Sequence, residues 1–327
     1  MEFPNNLYLL AFASAFATSL LTIPLWRAWA KRLGLVDDPG ERKIHSDPIP
    51  LAGGFGVLAG LLLPLCAGAM ALELGWIRTS AEAALAYGLS QRTLQLVAIL
   101  AGALGMVGLG VVDDRRELSA VVKFAGQALI AVLVAAAGVR ITLFVQHAWF
   151  SYTVTVLWIL TITNAFNFMD NMNGAAGGIG ALAAAAFALA AARHGQYLVA
   201  LIGFLIAGSL CGFLPHNFPR AKVFLGDAGS HLAGYLLAVL GILPHFYRQD
   251  DPQKLAVLSP LLILAVPLMD LTSVVLIRWQ LGKPFYVGDN NHLSHQLVRR
   301  GLSRVTAVLL LWLATLLCGG LALWIFD

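Results

Sequence analysis

The stretch NAFNFMDNMNGAAGG, Asn164–Gly178, decides how this chain reads. Asn164, Asn167, Asp170, Asn171 and Asn173 crowd the junction between two runs that are otherwise oil, 149–168 and 175–192. A polar group buried without a partner costs roughly 2–7 kcal/mol. Amides and an acid at the end of an apolar run therefore mark a place where something polar binds, or where helices bond one another. Asn167, Asp170 and Asn173 are spaced by three, which predicts one helical face near the end of a span.

Composition extends this reading to the whole chain. Of 327 residues, 59% are hydrophobic and 12% charged, and mean hydropathy is +0.79. A soluble domain carries about 25% charged residues. So few charges cannot clothe a surface in water, and lipid becomes the expected solvent. The excess of basic residues, +4 net, lies in short loops and forms no continuous stripe, which argues against nucleic acid. Cys66, Cys211 and Cys318 all lie inside apolar runs without metal-ligand spacing and read as packing residues. The first run follows no basic segment, so it reads as a retained span rather than a signal peptide.

Only helices and closed barrels satisfy backbone groups in hydrocarbon, and runs this long favour helices. Ten spans are expected, at 6–27, 51–73, 94–112, 122–139, 149–168, 175–192, 197–214, 228–246, 255–277 and 305–325. The fold expected is all-α, polytopic, one membrane-embedded domain over 1–327. Fifteen of the 21 Lys and Arg fall on one side of these spans, among them Arg115, Lys123, Arg220 and Arg299. That side is expected to be cytoplasmic. Every chemically suggestive cluster falls there, so one cytoplasmic site is expected.

The clusters are acids among cations. Asp113 and Asp114 end an apolar run, where adjacent carboxylates repel strongly unless a cation lies beside them; Arg115 and Arg116 could also neutralise them. Asp227, in FLGDAGS, starts a span, where it would serve as a helix cap or as a ligand. With Asp170 these make four carboxylates and no thiolate, a hard-oxygen set suited to Mg²⁺ or Mn²⁺. Around them stand Lys43, His45, Lys123, His292, His295 and Arg299. His292 and His295 sit three apart in HLSHQL and would hold phosphate or accept a proton. Asp270 lies inside a span and is either functional or paired with Arg278.

With RKIHSDPIPLAGG, GVVDDRREL, NAFNFMDNMNG, VFLGDAGS and HLSHQLVRRGLS in this order, the chain resembles the polyprenyl-phosphate N-acetylhexosamine-1-phosphate transferases, a family of glycosyltransferase family 4 type. The resemblance implies a ten- or eleven-helix fold, a UDP-N-acetylhexosamine donor, undecaprenyl phosphate as acceptor, Mg²⁺, and a bacterial inner membrane location. It implies a site of Asp113 and Asp114 as paired acids, Asp227 as metal ligand together with one or both of them, Asn167 and Asp170 in a polar loop, Lys123 on the nucleotide side, and His295 ending the histidine motif. Two positions depart from the usual pattern. Asn173 stands where the family usually has a second Asp, and Ser294 replaces a histidine; the loss of a charge and of a phosphate contact is expected.

The expected reaction transfers N-acetylhexosamine-1-phosphate, with GlcNAc favoured, from the UDP-sugar to undecaprenyl phosphate. Asp113 as general base is left open. The alternatives are a phospho-MurNAc-pentapeptide transferase, a membrane transporter, and a non-catalytic homologue; a homodimer is left open.

Overall fold

Every apolar run holds a helix in the computed structural model, which describes residues 4–39, 47–76, 82–142, 145, 147–244, 254–286 and 289–326. The helices are α1 (Asn5–Arg32), α2 (Gly53–Glu73), α3 (Glu82–Arg116), α4 (Ala120–Ala136), α5 (Ala148–Met169), α6 (Ala175–Arg193), α7 (Tyr197–Asn217), α8 (Gly226–Leu240), α9 (Ser259–Ile263), α10 (Ala265–Gln280), α11 (Leu293–Arg299) and α12 (Arg304–Phe326). The protein is an all-α, multi-pass membrane protein. By length and composition, seven helices can cross a membrane: α1, α2, α3, α5, α6, α7 and α12. An eighth crossing is added if α9 and α10 form one broken span, bent by 67°. At 17 and 15 residues, α4 and α8 are shorter than the expected spans. They reach about 22–26 Å against a hydrocarbon core of about 30 Å.

The break between α9 and α10 has a local cause. Pro267 lacks the N–H that would bond the Ile263 carbonyl, and its ring crowds that carbonyl, so the helix ends at Leu264 and restarts.

Side-chain distribution shows where lipid lies. Leu21, Leu25, Leu133 and Leu317 are exposed on α1, α4 and α12, a pattern that suits hydrocarbon and not water. The centre is built from small residues instead. α6 reads AAGGIGALAAAAFALAAAR and is mostly buried, and α8 is buried against α3 and α5 at every residue but Asp227. Without a hydrophobic drive between helices in lipid, close packing of small residues is what holds them together.

Backbones meet closely where α3 crosses the start of α8. A Cβ built on Gly110 would stand 2.4 Å from the Ala228 backbone. Gly110→Ala must therefore push α8 away from α3. It is expected to cost about 1–3 kcal/mol, read as a lower melting temperature in detergent, with activity falling because the acids at this crossing shift.

A short antiparallel pair, β1 (Val36–Asp37) with β2 (Ile49–Pro50), precedes α2. Phe224 N–H donates to the Pro50 carbonyl at 3.0 Å, and Gly53 N–H to the Phe224 carbonyl at 2.9 Å. The chain entering α2 is thus tied beside the chain entering α8.

Candidate functional site

Four helices deliver polar side chains to one end of the bundle. α3 and α5 end there; α4 and α8 begin there. α3 reverses into α4 because Asp113 Oδ1 accepts from Leu118 N–H at 2.9 Å and Ser119 caps α4. This tight reversal sets Lys123, in the first turn of α4, against Asp113. Its ammonium contacts Asp113 Oδ2 and lies 3.5 Å from Asp227 Oδ2, bridging acids 114 positions apart in the chain.

Asp114 has a different task from its neighbour. Its Oδ1 accepts from Asp227 N–H at 2.8 Å and its Oδ2 from Ala228 N–H at 3.2 Å. A carboxylate at a helix N-terminus satisfies orphan donors and meets the positive end of the dipole. Gly226, at φ +73°, makes the turn that lets Asp114 approach. Asp114 thus builds the site by fixing α8, and Asp227 is free to face inward. Asn167 steadies it, donating from Nδ2 to Asp227 Oδ1 at 2.5 Å and to Ser230 Oγ at 3.0 Å.

The single helical face expected for Asn167, Asp170 and Asn173 is corrected here. α5 stops at Met169, and Asp170 already leaves helical geometry at ψ 40°. Only Asn167 points from the helix to the acids. The Asp170 carboxyl makes no hydrogen bond or ion pair among the described residues, although its N–H donates to the Phe166 carbonyl at 3.1 Å. Burial, followed by the nearby carboxylates of Asp227 and Asp114, holds its carboxyl well above the ordinary range. Asn173 Nδ2 donates to the Pro219 carbonyl at 3.3 Å.

A second polar group closes the site from the C-terminal part. Asp270 is fully buried. Its oxygens accept from His292 Nδ1–H at 2.8 Å and Leu293 N–H at 2.6 Å. The pairing of Asp270 with Arg278 raised by the sequence is therefore corrected: its partner is His292. Arg278 turns instead to Asp289 Oδ2, 3.0 Å from Nε, and to the Phe285 carbonyl, while its guanidinium lies 5.0 Å from the Phe168 ring centre. Ser294 is buried and donates to Asn171 Oδ1 at 2.6 Å. Ser294, expected from the sequence to mark the loss of a phosphate contact, thus fastens α11 to the loop following α5. His295 lies 6.3 Å from His292, ring centre to ring centre. Burial first, then the positive fields of His292, Arg299 and Arg304, keep His295 below its ordinary value, against the pull of Asp270. Arg299 is exposed and donates to the Asn290 carbonyl at 2.5 Å. Lys43 and His45 lie outside the described residues.

The model of glycosyl transferase family 4 matches residues 96–245, which contain Asp113, Asp114, Lys123, Asp170 and Asp227. The chain is 31% identical to the probable undecaprenyl-phosphate N-acetylglucosaminyl 1-phosphate transferase of Bacillus subtilis, over 91% of this chain and 80% of that protein. It is 34% identical to the decaprenyl-phosphate N-acetylglucosaminephosphotransferase of Mycobacterium tuberculosis, over 96% and 82%. It is 29% identical to the undecaprenyl-phosphate alpha-N-acetylglucosaminyl 1-phosphate transferase of Salmonella typhi, over 94% and 81%. The chain belongs to glycosyl transferase family 4.

For this member of family 4, the donor set fits a small hard cation. Oxygens of Asp113 and Asp227 and one ring nitrogen of His231 lie within 4.8 Å of one another. His231 itself was not singled out from the sequence, although it follows Asp227 by four residues, one turn along the same face. Its role is set from behind. Asn164 Nδ2 donates to the Leu160 carbonyl at 2.8 Å and to Gln127 Oε1 at 2.6 Å, which turns the Gln127 amide nitrogen toward His231 Nε2, 3.4 Å away. Nε2 then accepts and Nδ1 carries the proton, so His231 offers no lone pair to an ion. The carboxylates of Asp113 and Asp227 are then the groups that could hold an ion, in keeping with the one or two carboxylates that Mg²⁺ usually takes from protein.

Asn173 also allows a test within family 4. Restoring the usual acid, Asn173→Asp, would set a carboxylate against the Pro219 carbonyl, acceptor against acceptor. It is expected to cost about 1 kcal/mol and to leave donor preference unchanged. Thermal melting and donor competition on the variant check both.

Proposed function

We propose that this chain transfers GlcNAc-1-phosphate from UDP-GlcNAc to undecaprenyl phosphate in the bacterial inner membrane, with its acid site facing the cytoplasm. The observation that carries the reading is the meeting of Asp113, Asp227 and Lys123 from three helices at one end of the bundle. The transfers for which the Bacillus, Mycobacterium and Salmonella relatives are named support the reading. The bias of Lys and Arg to the same side supports the orientation.

In the proposed step, an oxygen of the lipid phosphate attacks the β-phosphorus of the UDP-sugar. The bond from that phosphorus to the bridging oxygen breaks, and UMP leaves with the electron pair. A phosphate monoester has its second pKa near 6, so the attacking oxygen is already ionised at neutral pH. No protein base is needed, and Asp113 is better placed as a ligand beside Lys123. Positioning and charge neutralisation supply most of the rate in such transfers.

Asp113 and Asp227 would hold Mg²⁺, which supplies positive charge against the diphosphate when bound. Lys123 adds a fixed cation between the same carboxylates. Two amides in the first turn of α8, those of Asp227 and Ala228, are taken by Asp114, which leaves the phosphates mainly to side chains. Asn167 holds Asp227 in one rotamer. His292, oriented by Asp270, and His295 present imidazoles on the α11 side, with Arg299 as a solvent-facing cation beside them.

A panel of radiolabelled UDP-GlcNAc, UDP-GalNAc and UDP-MurNAc-pentapeptide, each with undecaprenyl phosphate, tests the reading. UMP release with UDP-GlcNAc and labelled lipid as product is the expected result. Preference for the pentapeptide donor would make the chain a phospho-MurNAc-pentapeptide transferase. Tight donor binding with no UMP from any of them would make it a non-catalytic homologue.

A further inference from the structure

A second cavity, of about 500 Å³, lies at the other end of the bundle. Four helices that carry the acid site show the separation. On α3 the acids are at 113 and 114 and the cavity at Arg92; on α8 the acid is at 227, and the cavity meets the chain just past its end at 241–244. The cavity touches α5 at Trp158 and the chain just past α4 at Arg140, where the acid site takes Asn167 and Lys123. Twenty-one residues of α3 separate Arg92 from Asp113, about 30 Å of helix.

Its lining is an apolar wall, including Trp158, Leu243, Leu258 and Leu261, with the guanidiniums of Arg92 and Arg140. No carboxylate lines it among the described residues. Arg92 donates to Gln95 Oε1 at 3.1 Å, and Arg140 stacks 5.2 Å from the Tyr152 ring centre. Arg140 Nε is buried with no hydrogen-bond partner, and neither arginine has an acidic partner among the described residues. An unsatisfied buried donor on a cation is costly unless an anion arrives to meet it. The volume is that of a small-molecule site.

We infer that this cavity binds an anionic phospholipid, its phosphate held between Arg92 and Arg140 and its acyl chain laid on the apolar wall. The guanidinium fork suits phosphate oxygens. Arg92 lies about 30 Å along α3 from the acids, the thickness of a hydrocarbon core, and Arg140 lies in the chain between α4 and α5 at the same end, which is the depth of lipid headgroups. The inference does not depend on the reaction at the acid site.

Native mass spectrometry and thermal melting of the purified full chain test it, with phosphatidylglycerol, phosphatidylcholine and inorganic phosphate as separate probes. Phosphatidylglycerol is expected to stay bound and raise the melting temperature. Phosphatidylcholine and inorganic phosphate should do so far less. The double variant Arg92→Gln with Arg140→Gln is expected to weaken phosphatidylglycerol about 30-fold. Leu258→Trp, which keeps both charges and fills the apolar wall, should weaken it as well, and covers the case in which the double variant does not fold. Equal stabilisation by inorganic phosphate would replace the lipid with a free anion and overturn the inference. So would phosphatidylglycerol binding that survives the folded double variant or Leu258→Trp.

Discussion

Asp227→Asn is expected to lower UMP release by about three orders of magnitude or more, with the fold intact. The change keeps the shape of the side chain and its place in the first turn of α8. The Asp114 cap is untouched, because it bonds the backbone of Asp227 and not its side chain. What is lost is the negative charge that faces Lys123 and the partner of Asp113. Removing one preorganised group aimed at developing charge typically costs 10²–10³ in rate, and loss of a metal ligand adds to it. The checks are UMP release together with the melting temperature. Activity within tenfold of the parent at an unchanged melting temperature would remove Asp227 from the chemistry.

Arg278→Leu carries the second largest effect, on structure. Arg278 is buried in α10, and its guanidinium joins Asp289, the Phe285 carbonyl and the Phe168 ring. It thereby fixes the chain leading to His292. Among the described residues, the variant leaves Asp289 with Asn291 as its only donor and the Phe285 carbonyl without one, and loss of such charge-assisted hydrogen bonds costs about 1.5–3 kcal/mol. Local release is expected before global unfolding, read as rapid chymotrypsin cleavage at Phe285 or Tyr286. The pH dependence follows from the same pair. Burial alone would raise the Asp289 pKa, but Arg278 and Asn291 outweigh it and hold the carboxyl at about 2, below the ordinary 3.8. A carboxylate held low contributes its full stabilisation above the ordinary value and loses it as pH falls. The parent chain should therefore keep this segment protected above about pH 4 and lose protection toward pH 2. Arg278→Leu should be cleaved quickly at every pH in that range, with pepsin in place of chymotrypsin in acid.

The fold was legible because lipid imposes a coarse rule: apolar runs became helices, and the polar junctions came together. The limits appeared where the backbone obeys finer rules. Length cannot distinguish a span from the 15-residue α8, and Pro267 breaks the ninth run at Leu264. The acids at 113, 114 and 227 could be gathered from motif order, but their division of labour could not. Whether Asp114 faces an ion or caps α8 depends on a crossing that Gly110 and Gly226 permit. Asn173 and Ser294 looked like losses because the sequence shows what is replaced and not what the replacement touches. Their bonds to Pro219 and Asn171 make them part of the loop that shapes the site. His231 was missed because a histidine in an apolar helix reads as core until Gln127 and Asn164 are found behind it.

The account rests on Asp113 and Asp227 sharing one divalent ion at the end of the bundle. Equilibrium Mn²⁺ binding to the purified chain, followed by electron paramagnetic resonance in the absence of substrates, tests that most directly. One bound ion per parent chain is expected, displaced by Mg²⁺ and lost in both Asp113→Asn and Asp227→Asn. Undiminished Mn²⁺ binding by both folded variants, or no bound ion in the parent chain, would contradict it.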